Sequence, residues 1–176
     1  MLKSDWERLA LIALKEFAVQ VTVPVLYDDP GGVDQVGTGT LFTLDGRYFL
    51  VTAAHLFDER DPGHFAIPKG RINSDLHSLG PCKFYRPKQL EIDIAFLELL
   101  DETTLTHVKA GWRVLELKNT GRASDAGVFA LCGYPSERAW RAEYVIGGKP
   151  FAGNVRIFVC EAVSTLGGSS GEAVSI

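Results

Sequence analysis

Three short segments of the sequence carry the side-chain types that nucleophilic acyl transfer requires. His55 follows an apolar stretch that is typical of a strand, Asp93 stands in a second apolar stretch, and Ser170 lies in a glycine-rich segment. A serine becomes nucleophilic when a base takes its proton and a third group orients that base. Histidine suits the base because imidazole changes charge near neutral pH, and an aspartate suits the orienting role. The three residues are therefore predicted to form a Ser-His-Asp triad.

Each of these residues also has a simpler structural interpretation when it is taken alone. A histidine after a strand is usually structural, an aspartate at a strand end is usually a hydrogen-bonded acid, and Gly-Gly-Ser-Ser-Gly is usually a flexible loop. By residue type alone, His55 is no better a candidate than the other three histidines. Their order, spacing and apolar surroundings together favour the triad.

The sequences around the three residues resemble those of the trypsin-like (chymotrypsin-fold) serine peptidases. Leu-Val-Thr-Ala-Ala-His at 50–55 resembles the segment with the family's catalytic histidine, and Asp-Ile-Ala-Phe-Leu-Glu-Leu at 93–99 resembles its aspartate segment. Gly-Tyr-Pro at 133–135 is similar to a turn of many bacterial members. The order histidine, aspartate, serine is that of chymotrypsin, whereas α/β-hydrolases run serine, acid, histidine. The resemblance extends over roughly residues 36–174.

The resemblance assigns roles within the glycine-rich segment. Gly-Ser-Ser-Gly at 168–171 matches the family's G-x-S-G, which selects Ser170 over Ser169 as nucleophile. The backbone N–H groups of Gly168 and Ser170 would form the oxyanion hole. Members that are activated by N-terminal cleavage carry an aspartate where Ser169 stands, so that switch is predicted to be absent. No aspartate or histidine follows residue 171, which disfavours a lipase-type or esterase-type site with Ser169 as nucleophile.

Two further residues are candidates for substrate binding on the same resemblance. Ser164 stands near the usual base of the S1 pocket, and because it is not acidic it argues against a preference for lysine or arginine. The segment that contains Thr165 resembles bacterial glutamyl endopeptidases, in which a serine or threonine helps to bind an acidic P1 side chain. The P1 preference stays open.

The elements that must position these residues are predicted to be mainly strands. Apolar residues recur at helical spacing from Trp6 to Phe17, which predicts a helix over 1–18 whose apolar side packs on the body. Asp45-Gly46 between two β-rich runs predicts a hairpin, whereas 28–37 is predicted to be a loop. Further strands are predicted at 19–27, 90–100, 112–117, 128–132, 141–146 and 155–163.

Many short strands with regular turns predict an all-β fold. The resemblance implies two packed antiparallel β-barrels, chymotrypsin-like, with the N-terminal helix as an addition. The peptidase domain would span 19–176, with the first barrel at about 19–105 and the second at about 106–176. In the family further strands follow the serine, whereas six residues follow Ser170 here. We expect a partner chain or a missing C-terminal segment to complete the second barrel.

Composition and charge exclude several classes of function. A net charge of −4 over 176 residues gives no basic footprint for nucleic acid. No apolar run approaches the ~18 residues of a membrane-spanning helix, and charged residues flank the short apolar stretch at 9–14, so no membrane segment or secretory leader is predicted. The four histidines show no paired-ligand spacing. We expect a cytoplasmic protein that needs no metal or cofactor.

The three cysteines and the proposed reaction complete the expectations. Cys82, predicted to lie in a loop, and Cys132 and Cys160, predicted to lie in strands, are expected to be free thiols.

The expected function is that of a serine endopeptidase acting on protein or peptide substrates. A trypsin-like binding module without activity is the alternative, because a fold can persist after its chemistry is lost.

Overall fold

The backbone is mostly β-structure that curls around one core. The computed structural model describes residues 5–29, 32–70, 73–88, 92–121, 127–134, 140–141, 151–152 and 156–162. Within them, helix α1 is followed by strands β1–β7, helix α2 and strands β8–β12. Their bounds are α1 Asp5–Val21, β1 Thr22–Asp29, β2 Gly32–Leu44, β3 Arg47–Thr52, β4 Phe65–Gly70, β5 Asn73–Ser78, β6 Cys82–Tyr85, β7 Ala95–Leu99, α2 Glu102–Gly111, β8 Leu115–Glu116, β9 Gly127–Gly133, β10 Trp140–Arg141, β11 Phe151–Ala152 and β12 Arg156–Ala162.

The first seven strands form a curled antiparallel sheet, a half-barrel. Its strand order is β5-β4-β1-β2-β3-β7-β6, and β8 adds a short parallel pairing to β2. The concave side buries apolar side chains of alternate strand positions together with residues of α2, which removes a large apolar area from water. The largest of these side chains are Phe65, Leu41, Leu50, Ile67 and Leu97.

The hairpin predicted at Asp45-Gly46 is confirmed. Both residues have positive φ, at 50° and 75°, as a two-residue type I′ connection requires. The strands pair immediately beside the turn, at Leu44↔Arg47. The glycine accepts such a φ without the steric cost that a side chain would add.

The loop predicted at 28–37 is wrong, because strands occupy most of that range. β1 and β2 pair antiparallel as far as Asp29↔Gly32. Val33 and Gln35, which alternate along β2, are buried, so the pleat of the strand continues through this region. The breakers Pro30 and Gly31 lie outside the described residues.

The N-terminal helix is confirmed, but its contacts differ from the prediction. The C-terminal part is buried at Ala18 and Val21, and Thr22 Oγ1 donates to the Ala18 carbonyl at 2.6 Å. The helix contacts β9, β12 and β1. Trp6 and Leu9, expected to pack on the body, are instead 76% and 56% exposed.

A second helix, α2, was not predicted. Asp101 caps its N-terminus, accepting a hydrogen bond from the Thr104 N–H at 2.7 Å. Just after its end, Trp112 is buried and donates from Nε1 to the Pro68 carbonyl at 3.0 Å. Of the strand predicted at 112–117, only Leu115–Glu116 is present. Helix α2 therefore lies across the predicted boundary between the barrels at 105–106.

The second half of the chain contributes a paired strand unit to the described residues. β9 and β12 pair antiparallel from Gly127↔Ala162 to Gly133↔Arg156, which confirms strands in the ranges predicted at 128–132 and 155–163. Of the strand predicted at 141–146, residues 142–146 lie outside the described part. Two packed barrels are an expectation that the described residues do not test.

Hydrogen bonds between β2 and Tyr134, the residue after β9, join the two halves. Gln35 Nε2 donates to the Tyr134 carbonyl at 2.5 Å, and the Tyr134 N–H donates to Thr38 Oγ1 at 2.8 Å. Cys132 is a half-buried free thiol, and so is Cys82, which lies in β6 rather than in the predicted loop. In the parts of the chain that the structure describes, no helix is long and apolar enough to cross a membrane.

Candidate active site

Two neighbouring strands bring His55 and Asp93 to the same end of the sheet. β3 ends at Thr52, and His55 lies in the short 3₁₀ turn Ala54–Phe57 that follows. Asp93 lies two residues before β7 begins at Ala95. Because β3 and β7 are antiparallel and pair at Thr52↔Ala95, the end of one strand meets the start of the other. We call this the site end of the sheet.

Asp93 binds His55 through both carboxylate oxygens. Oδ2 lies 2.6 Å from Nδ1 of the imidazole, and Oδ1 accepts a hydrogen bond from the His55 backbone N–H at 2.8 Å. These distances are those of charge-assisted hydrogen bonds. The two contacts fix the carboxylate relative to both the ring and the backbone of one residue.

The carboxylate determines which ring nitrogen carries the proton. The hydrogen bond from the His55 side chain lowers the pKa of Asp93, and the backbone N–H of His55 lowers it further, against partial desolvation. An ionised carboxylate only accepts hydrogen bonds, so Nδ1 must donate. In the neutral ring, Nε2 then has the free lone pair. That is the tautomer that a general base requires.

The pair is open to solvent on one side. The side chains of His55 and Asp93 are 63% and 52% exposed. Within the described residues, no hydrogen bond to Nε2 of His55 is seen. In this part of the chain, Nε2 is thus left without the partner that holds Nδ1.

Burial of the flanking residues holds His55 in this outward position. Ala54 and Leu56 are both buried, whereas His55 between them is exposed. Leu56 packs directly over Gly37, where an added Cβ would lie 2.6 Å from Leu56 Cδ1. Because Gly37 has no side chain, Leu56 can occupy this space, and its packing there anchors the turn.

The second half of the chain contacts the sheet close to this end. Thr38, which receives the Tyr134 N–H on its hydroxyl, also accepts a hydrogen bond at its carbonyl from Thr52 Oγ1 at 2.8 Å. Thr52 is the last residue of β3 before the turn that holds His55. Tyr134 belongs to the Gly-Tyr-Pro segment that the sequence singled out.

The remaining predicted site residues lie outside the described part of the chain. These are the nucleophile and oxyanion-hole residues Ser170 and Gly168 and the substrate-binding candidates Ser164 and Thr165. Of the predicted triad, the structure thus brings together His55 and Asp93. Sequence reasoning did not single out the His55 backbone N–H as a second partner of the carboxylate.

A second acid on β7 has a different environment. Glu98 is buried and receives hydrogen bonds from Arg47 Nε to Oε1 at 2.7 Å and from Tyr85 OH to Oε2 at 2.9 Å. The hydrogen bonds from Arg47 lower the pKa of Glu98 to about 2. Glu98 lies opposite Phe49, away from the site end at Thr52↔Ala95, so its carboxylate belongs to a separate network.

No group of three or more histidine, cysteine, aspartate or glutamate side chains suited to a metal ion occurs in the described ranges. Neither a known family model, nor a curated protein, nor a solved structure matches this chain.

Proposed function

We propose that this protein is a serine endopeptidase of the trypsin-like type, in which His55 is the general base, Asp93 its orienting acid and Ser170 the nucleophile. One observation carries the proposal: the 2.6 Å contact between His55 Nδ1 and Asp93 Oδ2, made by residues 38 positions apart. The second contact, from the His55 N–H to Oδ1, adds support because it fixes the acid in the orienting position. The curled sheet would be the first of two packed barrels.

The chemistry follows from the roles of the three residues. Ser170 Oγ attacks the scissile carbonyl carbon while its proton passes to Nε2 of His55, and the backbone N–H groups of Gly168 and Ser170 stabilise the oxyanion. The tetrahedral intermediate collapses as Nε2 returns the proton to the leaving amine. Water, deprotonated by the same nitrogen, then hydrolyses the acyl-enzyme. Asp93 stays ionised and stabilises the imidazolium at each step. The mechanism needs no cofactor.

The substrate class is a protein or peptide, with Ser164 and Thr165 at the P1 side chain. A partner chain or a further C-terminal segment would complete the second barrel. The compartment proposed is the cytoplasm, where reducing conditions keep thiols such as those of Cys82 and Cys132 free.

Labelling with a fluorophosphonate probe tests this function. The unaltered chain should be labelled, Ser170→Ala and His55→Ala should abolish labelling, and Ser169→Ala, the matched control one residue away, should retain it. Labelling that persists without Ser170 would place the nucleophile elsewhere. A folded chain that is not labelled leaves a trypsin-like binding module or an incomplete second barrel. Labelling that stays absent after C-terminal strands are added to complete that barrel would contradict the peptidase.

A further inference from the structure

Side chains of the His55 turn contact side chains at the end of β6, the strand that precedes Asp93 in the chain. The ring of Phe57, in the turn, lies 5.0 Å from the ring of Phe84 in β6. One residue further along, Asp58 Oδ1 lies 2.5 Å from Nη1 of Arg86, which directly follows β6. We call Phe57, Asp58, Phe84 and Arg86 the clamp.

The clamp acts where the backbone ladder has ended. The pairing of β3 with β7 stops at Thr52↔Ala95, so both His55 and Asp93 lie beyond the last ladder position. β6 pairs with β7 through Tyr85↔Phe96, so Arg86 leaves the sheet at this same end. A contact from Arg86 to Asp58 therefore fixes the turn relative to the β6–β7 side of the sheet, from which Asp93 projects.

We propose that Arg86 is a positioning residue, which holds the His55 turn in register with Asp93 through its ion pair with Asp58. Its effect on catalysis rests on the proposed function, whereas its effect on the His55–Asp93 geometry does not. Among the described residues, Arg86 makes its ion pair with Asp58 and none with the imidazole of His55, so it acts through Asp58 and the turn. The ring contact between Phe57 and Phe84 restricts the turn further.

The size of the effect follows from the exposure of the ion pair. The side chains of Arg86 and Asp58 are 38% and 49% exposed, so solvent screens part of their attraction. Pairs of this kind shift an equilibrium by up to about fivefold. Displacement of a catalytic group by about 1 Å can reduce a rate by more than that, by about 10².

Hydrogen exchange at the His55 amide measures this geometry without any catalysis. That N–H donates to Asp93 Oδ1, so its exchange reports how often the turn separates from the acid. Arg86→Ala should speed this exchange about two- to fivefold, and Asp58→Asn should do the same. Their combination should add little, because both remove one interaction. Arg86→Lys, which keeps the charge, should restore most of the protection.

A matched control is available at the opposite end of the sheet. Lys118 pairs with Glu116 at 2.8 Å, with side chains 72% and 50% exposed. Lys118→Ala should leave the His55 amide unchanged. Equal effects of Arg86→Ala and Lys118→Ala would overturn the proposal. So would an increase shared by the core amides of β3 and β7, because that would indicate general destabilisation.

Labelling kinetics separate the positioning role from the proposed function. Arg86→Ala should lower the maximal rate of fluorophosphonate labelling by up to about fivefold, with the probe concentration at half-maximal rate unchanged and Arg86→Lys close to the unaltered chain. If Arg86 protects the His55 amide in a chain that stays unlabelled even with a completed second barrel, the peptidase is refuted and the positioning role of Arg86 stands. If every variant is labelled at the normal rate and the His55 amide is unprotected in all of them, the positioning role of the clamp is refuted. The proposed peptidase function would still stand.

Discussion

Replacing Asp93 by asparagine tests the site with the smallest change in shape. The substitution keeps one carbonyl oxygen and turns the other oxygen into an NH₂ donor. At present Oδ1 accepts from the His55 N–H at 2.8 Å, and Oδ2 lies 2.6 Å from Nδ1. Both carboxylate oxygens accept a hydrogen bond here, whereas the asparagine side chain has one oxygen that can accept.

The backbone contact decides which way the amide must point. A backbone N–H is always a donor, so the asparagine oxygen has to face it and the NH₂ group faces the imidazole. Nδ1 of His55 must then accept, which moves the ring proton to Nε2. A ring with its proton on Nε2 cannot take the proton of Ser170. Loss of the correct tautomer reduces such reactions by about 10⁴.

The assay is the second-order rate constant of fluorophosphonate labelling, with thermal unfolding measured in parallel. Asp93→Asn should be labelled about 10⁴-fold more slowly than the unaltered chain while it keeps its fold. Asp61→Asn is the matched control, because Asp61 accepts one backbone N–H, from Gly63 at 2.9 Å, and asparagine can do the same. The control should stay within about twofold.

One result would refute the reasoning about the tautomer. If a folded Asp93→Asn protein is labelled at more than about a tenth of the normal rate, Asp93 does not orient the base. In the unaltered chain, the pKa of Asp93 lies below its ordinary value of 3.8, so its carboxylate stays ionised as the pH falls to that value. Protonation of Asp93 therefore limits labelling only in more acidic solution.

Two further predictions concern stability. Gly111→Ala should lower the free energy of unfolding by about 1–3 kcal/mol, because the new Cβ would overlap the Lys69 carbonyl oxygen of β4. Gly121→Ala is the control and should change the free energy of unfolding little, because its new Cβ meets open space. Equal denaturant midpoints for the two variants would contradict this packing. Glu98, whose pKa falls from 4.5 to about 2 through hydrogen bonds from Arg47, stabilises the fold above pH 4.5 and loses that contribution as the pH drops towards 2. The Glu98→Gln variant should not show this loss of stability when its unfolding is measured at falling pH. If its stability falls with pH as that of the unaltered chain does, Glu98 is not the group responsible.

Local signals in the sequence were sufficient for the elements that depend on neighbouring residues. The Asp45-Gly46 hairpin follows from two residues that tolerate positive φ. Helix α2 also had a local signal that could have found it, the N-cap Asp101 followed by Thr104. Its β-branched threonines and its short length concealed that signal. The long β1–β2 pairing was missed because breakers at 30–32 suggested a wider loop than the hairpin needs.

Sequence patterns could not predict that the residues of the candidate site meet. Each of His55 and Asp93 could be placed beside a strand, but their meeting depends on β3 pairing with β7, and three strands lie between these two along the chain. Strand order is a property of the whole sheet, which local patterns do not encode. The ion pair between Asp58 and Arg86 had no sequence signal, because charged residues in polar loops are common and partners are chosen by tertiary contacts.

The pairing of β3 with β7 has a consequence for the order of events during synthesis. The His55–Asp93 unit belongs to one sheet and is complete without β9 or β12. Domains fold from the N-terminus as the chain emerges, so a base with its orienting acid can exist before the segment with Ser170 has been made. If the proposed triad is correct, the nascent chain cannot hydrolyse neighbouring proteins until the segment with Ser170 docks. Hydrolytic activity would then report completion of the second half.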